Sequence, residues 1–352
     1  MSTPVIEEAS SPETVATPKS KIRIIYRKSS AELDLDFPVG RLPEAIQDDK
    51  GTTWVDIEDP DGNSNHQIEE LLRDTFRFHP LAVEDALLET HIPKVDDWGD
   101  HLYLVFHICR IKPGTVELAL AELDIFLGNN YLITYHTEPI QLFDRDRQSI
   151  EKDPRDRLQH GPDHLLYRFL ELGIDQSLTA IQDLDDSIDT LQNEVIEHPS
   201  PKVLHSIFQI KRSAIRLHKI LAPQREVLNR LARDPFQPIQ PRHRVYFRDL
   251  YDHVVRIHDI SEGLRDLVSG TLETYLSVVS NRTNDTMKTL TMVTVMFLPM
   301  SFLASFFGMN FFGDNLVLRE PLPRLLLFWG TCLVMGFSPV IIWIQAKRKK
   351  WF

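Results

Sequence analysis

Cysteine is nearly absent, with only Cys109 and Cys332 in 352 residues. Two thiols cannot build a disulfide framework, and no CxxC pair offers a zinc site. Both are expected to be small packed residues in apolar runs. Glycine is also scarce, at 14 residues. None of them falls into the dinucleotide or P-loop pattern, and no His pair has metal-ligand spacing, which removes the commonest nucleotide-binding and metallohydrolase readings. No apolar run follows a basic start, so no secretory leader is expected. Residues 1–20, rich in Ser, Thr, Pro and Glu, read as a disordered tail. Positive charge is short as well. Lys and Arg number 39 against 51 Asp and Glu, a net charge of −12. That deficit argues against a nucleic-acid partner, which would call for a basic face on a folded unit.

The charge is unevenly spread. Residues 286–352 hold seven basic residues and two acids, so this stretch is +5 and residues 1–285 carry −17. The same stretch holds two charge-free runs, Leu290–Phe307 and Leu325–Ile344. A bilayer core takes roughly 20 apolar residues in helical form. Pro299 and Pro339 are tolerable there because neighbouring helices satisfy the freed backbone groups. Residues 286–307 and 325–345 are therefore expected to span a membrane, joined by a short loop over 308–324. Lys347, Arg348, Lys349 and Lys350 follow the second span and, by the positive-inside rule, keep the basic tail 346–352 cytoplasmic. Two crossings place residues 1–285 on the same side, with both termini cytoplasmic in a cell (inner) membrane protein.

The polar part divides by pattern. Ile22–Arg27, Trp54–Ile57, His101–Ile111, Glu117–Leu127 and Tyr131–His136 read as strands, with Gly128–Asn130 a turn between the last two. Asn65–Phe76 and Pro80–Glu89 read as helices, giving an α/β domain over 21–160. From 161 to 285 the pattern is helical: Asp163–Glu197, Lys202–Arg233 with Pro223 inside, and a third helix from near His243 that meets no proline until Pro299. Gly263 and Gly270, seven apart, share a face of that helix and either allow close packing or are tolerated weak points. Continued to Phe306, it would be roughly 95 Å long. The fold class expected is an α+β membrane protein: α/β domain, long-helix stalk and membrane hairpin.

Two membrane helices cannot enclose an aqueous path, so transport would require several copies around one axis. On the first span, Asn284, Met287, Leu290, Thr294, Leu298, Ser301 and Ser305 fall within about a 120° arc. The arc alternates apolar constrictions with hydroxyls and an amide. Ordinary helix packing through small polar residues is the other reading. Just beyond stands Gly308-Met309-Asn310. In that position, together with His79–Val95, Tyr246–Ile257, Ser280–Asn310 and the closing KRKKWF, the chain resembles the CorA family of divalent-cation channels over nearly its whole length.

The resemblance implies a funnel-shaped homopentamer in the lipid bilayer that takes up Mg²⁺, with Co²⁺ or Ni²⁺ as further cargo. Gly308, Met309 and Asn310 would form the selective mouth. Asn284, Met287, Leu290, Thr294, Leu298 and Ser301 would line the pore, with Met287 and Leu290 as its gate. Amide dipoles suit Mg²⁺, which dehydrates reluctantly and can be held through its waters. Relatives often carry an acidic stretch after the signature. Here Phe311-Phe312-Gly313-Asp314-Asn315 follows, and Asp314 and Glu320 are the only acids of the loop. By the same resemblance, Asp85 and Asp249 would meet across subunits around a regulatory Mg²⁺, with Glu84, Glu171 and His253 near a second site. The acidic run Asp183, Asp185, Asp186, Asp189, Glu194 and Glu197 reads either as a cation-concentrating surface or as a solvated helix face. Alternative functions are zinc transport in the same superfamily, a non-transporting membrane metal sensor, and a tethered metalloenzyme using His79, Glu84, Asp85 and His91. The expectation is a transporter and not an enzyme.

Overall fold

The computed structural model describes residues 20–60, 66–88, 92–152, 158–308 and 321–348. The chain divides into two compact units. One comprises the described residues up to Glu194 with Ser200–Thr271, the other Val195–Pro199 with the described residues from Leu272 onward.

A mixed sheet organises the first unit. Its strands are β1 (Lys21–Arg27), β2 (Leu33–Asp34), β3 (Thr52–Glu58), β4 (Lys94–Asp97), β5 (Leu102–Ile111), β6 (Leu118–Leu127) and β7 (Tyr131–His136). The spatial order is β2-β1-β3-β7-β6-β5-β4. Only β3 and β7 pair in parallel, from Thr53 opposite Tyr131 to Glu58 opposite His136. β5 and β6 form the longest ladder, Leu102 opposite Leu127 through Ile111 opposite Leu118. Eight consecutive residues of β5 are buried, because the sheet is covered on both faces and alternation is then lost.

One face packs on short helices: α1 (Leu42–Ile46), α2 (His66–Glu70) running into a π-helical turn Leu71–Thr75, and α3 (Pro80–Leu87). Ile24, Val55, Ile57, Val105, Phe126 and Ile133 of the sheet meet Leu42, Leu72, Phe78, Val83 and Ala86 there. The other face packs on α4 (Gln141–Lys152), α5 (Pro162–Glu197) and α6 (Pro201–Arg233). Trp54 lies against Phe143 of α4 and Phe169 of α5, at ring-centroid distances of 5.9 and 4.8 Å. Gly173 of α5 sits where an added Cβ would stand 2.8 Å from the Phe106 ring, so the helix approaches the sheet that closely only without a side chain. Gln224 of α6 donates to the His107 carbonyl at 2.9 Å.

The buried carboxylate of Asp56 is paired on this face. Asp56 accepts from Arg23 at 2.9 Å and Thr134 at 2.7 Å, and the His136 ring lies 3.2 Å away. Burial pushes the Asp56 carboxyl upward, but these three partners outweigh it and hold it below the ordinary value.

Helix α7 (Arg244–Gly308) and helix α8 (Pro321–Arg348) complete the described chain. α7 runs through Pro299, α8 through Pro339 and α6 through Pro223. The strands β2 and β4 and the helices α1 and α4 add to the elements expected from the sequence. One expectation is corrected. Cys109 is buried, but Cys332 is exposed, because it stands off the packed side of α8. A Cβ at Gly263 or Gly270 would meet nothing within 4 Å among the described residues, which favours the reading of these glycines as tolerated weak points.

Candidate metal site and ion path

The start of α3 is fixed locally. The His79 side chain accepts from the Leu81 amide at 3.2 Å, Pro80 takes the first helical position, and the His79 ring stacks on Trp98 at 4.0 Å. Ala82, Val83 and Ala86 then face the core. That leaves Glu84 exposed and Asp85 half-buried. Lys94, the first residue of β4, bridges Asp85 and Asp96, its Nζ lying 3.0 Å from Asp96 Oδ2. Its burial would lower the ammonium, but hydrogen bonds to both carboxylates reverse this and raise it above the ordinary lysine value.

The other candidate acids stand on α5 and α7. Asp163 anchors the root of both helices. It is fully buried, accepts from the Gln240 amide at 2.9 Å and sits 2.8 Å from His243 Nδ1. Phe247, Leu250, Val254, Ile257, Leu264 and Val268 are buried along α7. Asp249 and His253 lie off that stripe, exposed and 4.0 Å apart one turn from each other. Tyr167 of α5 donates to Glu171 at 2.5 Å, and its ring lies 5.1 Å from Tyr246. Burial, then the hydrogen bond and charge of Glu171, then the charge of Asp249 push the Tyr167 hydroxyl upward. Glu171 and Asp249 therefore act on the same tyrosine. His253 lines a groove of about 300 Å³ with Asp175, Asp185 and Arg256 over an apolar floor.

Asp85 and Asp249 belong to separate clusters within the chain. Among the described residues, no group of three or more His, Cys, Asp or Glu is arranged to hold a metal ion. As a donor set, the carboxylates of Glu84, Asp85 and Asp249 suit a hard cation, whereas the His253 nitrogen suits a transition metal better. Of the acidic run, residues 183, 185, 186, 189, 194 and 197 are all exposed, as on a solvated helix face.

On the membrane-spanning part of α7 the candidate lining is bare. Met287, Leu290 and Leu298 are 56, 59 and 63 % exposed, and Asn284, Thr294 and Ser301 are exposed too. Met292 is buried, while Met296, Pro299, Met300 and Leu303 are half-buried. At about 100° per residue these five span an arc of about 100°, centred roughly opposite the bare one. On α8 the covered positions are Thr331, Met335, Ser338, Pro339, Ile342 and Ala346, again a single helical stripe. Threonine hydroxyls along α7 turn back on their own helix. Thr286, Thr289, Thr291 and Thr294 donate to the carbonyls of Arg282, Asp285, Met287 and Leu290 at 2.8–3.0 Å. Gly308 ends α7. Met309, Asn310, Asp314, Glu320 and the rest of the loop to residue 320 lie outside the described residues, as do His91, Lys349 and Lys350.

Both α7 and α8 are long and apolar enough to cross a membrane, and their apolar windows are almost wholly uncovered. With the sheet unit, they define a two-span membrane protein carrying a large polar N-terminal unit. Residues 49–348 match the model of the CorA-like Mg²⁺ transporter protein family. A cobalt/magnesium transport protein CorA of Thermotoga maritima is 33 % identical over 309 residues, 87 % of this chain and 85 % of that one. This chain belongs to the CorA-like family. Its fold is that of the complete CorA magnesium transporter structure from Methanocaldococcus jannaschii, with TM-score 0.78 and 23 % identity over 96 % of this chain and all of that one. The cytoplasmic domain of ZntB from Vibrio parahaemolyticus shares the fold of the polar part, at TM-score 0.54 and 15 % identity over 75 % of this chain and 99 % of that one.

Proposed function

We propose that this protein is a channel-type magnesium transporter, also passing Co²⁺ and Ni²⁺, that works as a homopentamer in the cell's inner membrane with both termini cytoplasmic. The observation that carries the reading is the division of α7 into a covered arc and an opposite bare arc holding Asn284, Met287, Leu290, Thr294, Leu298 and Ser301. A helix covered on one side and uncovered on a side that carries hydroxyls and an amide suits a position around a shared axis. Residues 21–285 would then form the cytoplasmic funnel and 308–324 the outer mouth, where Gly308, Met309 and Asn310 meet the hydrated ion. Asn310 carbonyls accept hydrogen bonds from the waters of Mg²⁺ without displacing them.

The regulatory reading assigns Asp85 of one subunit and Asp249 of the next to internal Mg²⁺, with Glu84, Glu171 and His253 around a second position. These acids repel one another across an interface, and a bound divalent cation offsets that repulsion. Their oxygens would hold the ion. Lys94, already on Asp85, competes with it.

The test is ion flux into liposomes containing the purified protein, read with Mg²⁺-, Co²⁺- and Zn²⁺-sensitive dyes. Mg²⁺ uptake by wild type, and its loss in an Asn310→Ala protein of unchanged oligomeric mass, is the expected result. Zn²⁺ uptake without Mg²⁺ uptake would favour the zinc reading, and no flux of either ion would leave a sensor. Full flux from assembled Asn310→Ala would move the selective mouth elsewhere.

A further inference from the structure

The last turns of α8 carry an arrangement outside the pore lining proposed on α7. Lys347 Nζ lies over the Trp343 ring, 5.3 Å from its centroid. Trp343 is 49 % and Val340 48 % exposed. An added Cβ at Gly336 would meet nothing within 4 Å. Gly336, Val340, Trp343 and Lys347 follow at spacings of four, three and four, so they form one stripe along the helix. This stripe is separate from the covered one through Met335, Ser338, Ile342 and Ala346. Arg348 follows Lys347, both are exposed, and the sequence adds Lys349 and Lys350.

We propose that this stripe is a binding site for an anionic phospholipid, with the phosphodiester between Lys347 and Arg348 and one acyl chain along Trp343 and Val340 to the open surface at Gly336. Three features argue for that occupant. The charge is complementary: Lys347 and Arg348 close an apolar helix in the turn where its dipole already favours cations, and basic residues beside a membrane span attract anionic headgroups. The tryptophan belongs at the headgroup boundary, and its ring holds the ammonium of Lys347 on the uncovered side of α8. The length fits as well. From Lys347 back to Gly336 the helix rises about 17 Å, close to half of a hydrocarbon core of about 30 Å. Gly336 leaves a shallow furrow where the chain end would lie.

The inference requires only that α8 lie in a bilayer. It is tested by lipid binding without any flux measurement, so it can fail while the transport reading stands, or the reverse. Full-length protein is delipidated in detergent and titrated with phosphatidylglycerol or phosphatidylcholine, bound lipid being counted by native mass spectrometry. Wild type is expected to prefer phosphatidylglycerol. Lys347→Gln with Arg348→Gln should weaken that preference about thirtyfold, about fivefold for each charge removed. Lys347→Arg with Arg348→Lys, which keeps both charges, should restore it. An unchanged preference in the double glutamine variant overturns the proposal. So does efficient cross-linking between copies in membranes through Trp343→Cys in a Cys332→Ser, Cys109→Ser background, which would put a second copy of the chain on the stripe.

Discussion

Replacing Lys94 with glutamine should tighten the regulatory grip on Mg²⁺. Lys94 sits between Asp85 and Asp96, so its ammonium occupies one of the carboxylates proposed as a ligand and repels any cation that approaches it. Glutamine is one atom shorter, but it keeps a hydrogen-bond donor and removes the charge. In a dry interior the repulsion between a single and a double charge would be very large. Here the side chains of Lys94, Asp85 and Asp96 are 30, 39 and 40 % exposed, so solvent screening dominates and about 1 kcal/mol is a realistic effect, or roughly fivefold in affinity. The loss of Lys94 from above the Tyr103 ring, 5.1 Å away, works against stability by a similar or smaller amount. The assay is channel current or liposome flux against internal Mg²⁺, alongside a thermal melt. The concentration that half-closes Lys94→Gln should fall about fivefold while the melting temperature drops slightly. An unchanged or raised closing midpoint in a folded Lys94→Gln protein would refute the reasoning, because it would mean that Asp85 is not part of the sensor.

Asp249→Ala should move the same midpoint upward by roughly tenfold, the size of a typical coupling term, leaving uptake at low internal Mg²⁺ intact; an unchanged midpoint would return Asp249 to the role of a solvated acid. Gly173→Ala drives a methyl into the Phe106 ring and against Ile108, 3.3 Å away, and should cost about 1–3 kcal/mol in denaturant unfolding with no change in ion selectivity. Arg23→Gln bears on acid stability. The Asp56 carboxyl is held below its ordinary value in the fold, so its contribution is present above the unfolded pKa of about 4 and is lost as pH falls through the folded value. Removing the Arg23 partner shrinks that contribution, and circular dichroism should show acid unfolding beginning at a higher pH than in wild type.

Most elements were readable because their patterns are strong. Tyr131–His136 is a short run rich in β-branched and aromatic residues after a turn signal, and α5 and α6 are bracketed by prolines. The missed helix α4, QLFDRDRQSIEK, buries Phe143, Asp146 and Ile150 among the residues described over 141–150. Three positions one turn apart in a mostly charged segment give too weak a period to stand out. Strand β4, KVDD, has a single fully buried residue, Val95, and is a strand because it completes the sheet beside β5. The two most structural acids, Asp56 and Asp163, look in sequence like any other surface carboxylate. Their roles depend on partners 80 residues away, His136 and His243. The candidate metal ligands illustrate the converse. Asp85 and Asp249 occupy helix positions next to the buried stripe, where an acid needs no special reason, and only the likeness to a family marked them. The bare arc of α7 was visible from spacing, but which of its faces is covered is read only from burial in the fold.

The back-bonded threonines of α7 give the proposed pore a polarity of contact. Each hydroxyl hydrogen is already committed to the helix's own carbonyl four residues earlier, so toward the lumen Thr294 presents lone pairs and no proton. A hydrated cation turns its water hydrogens outward and finds acceptors for them. An anion, whose hydration shell is oriented the opposite way, would need a donor and meets none at Thr294. A lining of this kind discriminates by the direction of its hydrogen bonds, without placing a fixed charge in the membrane.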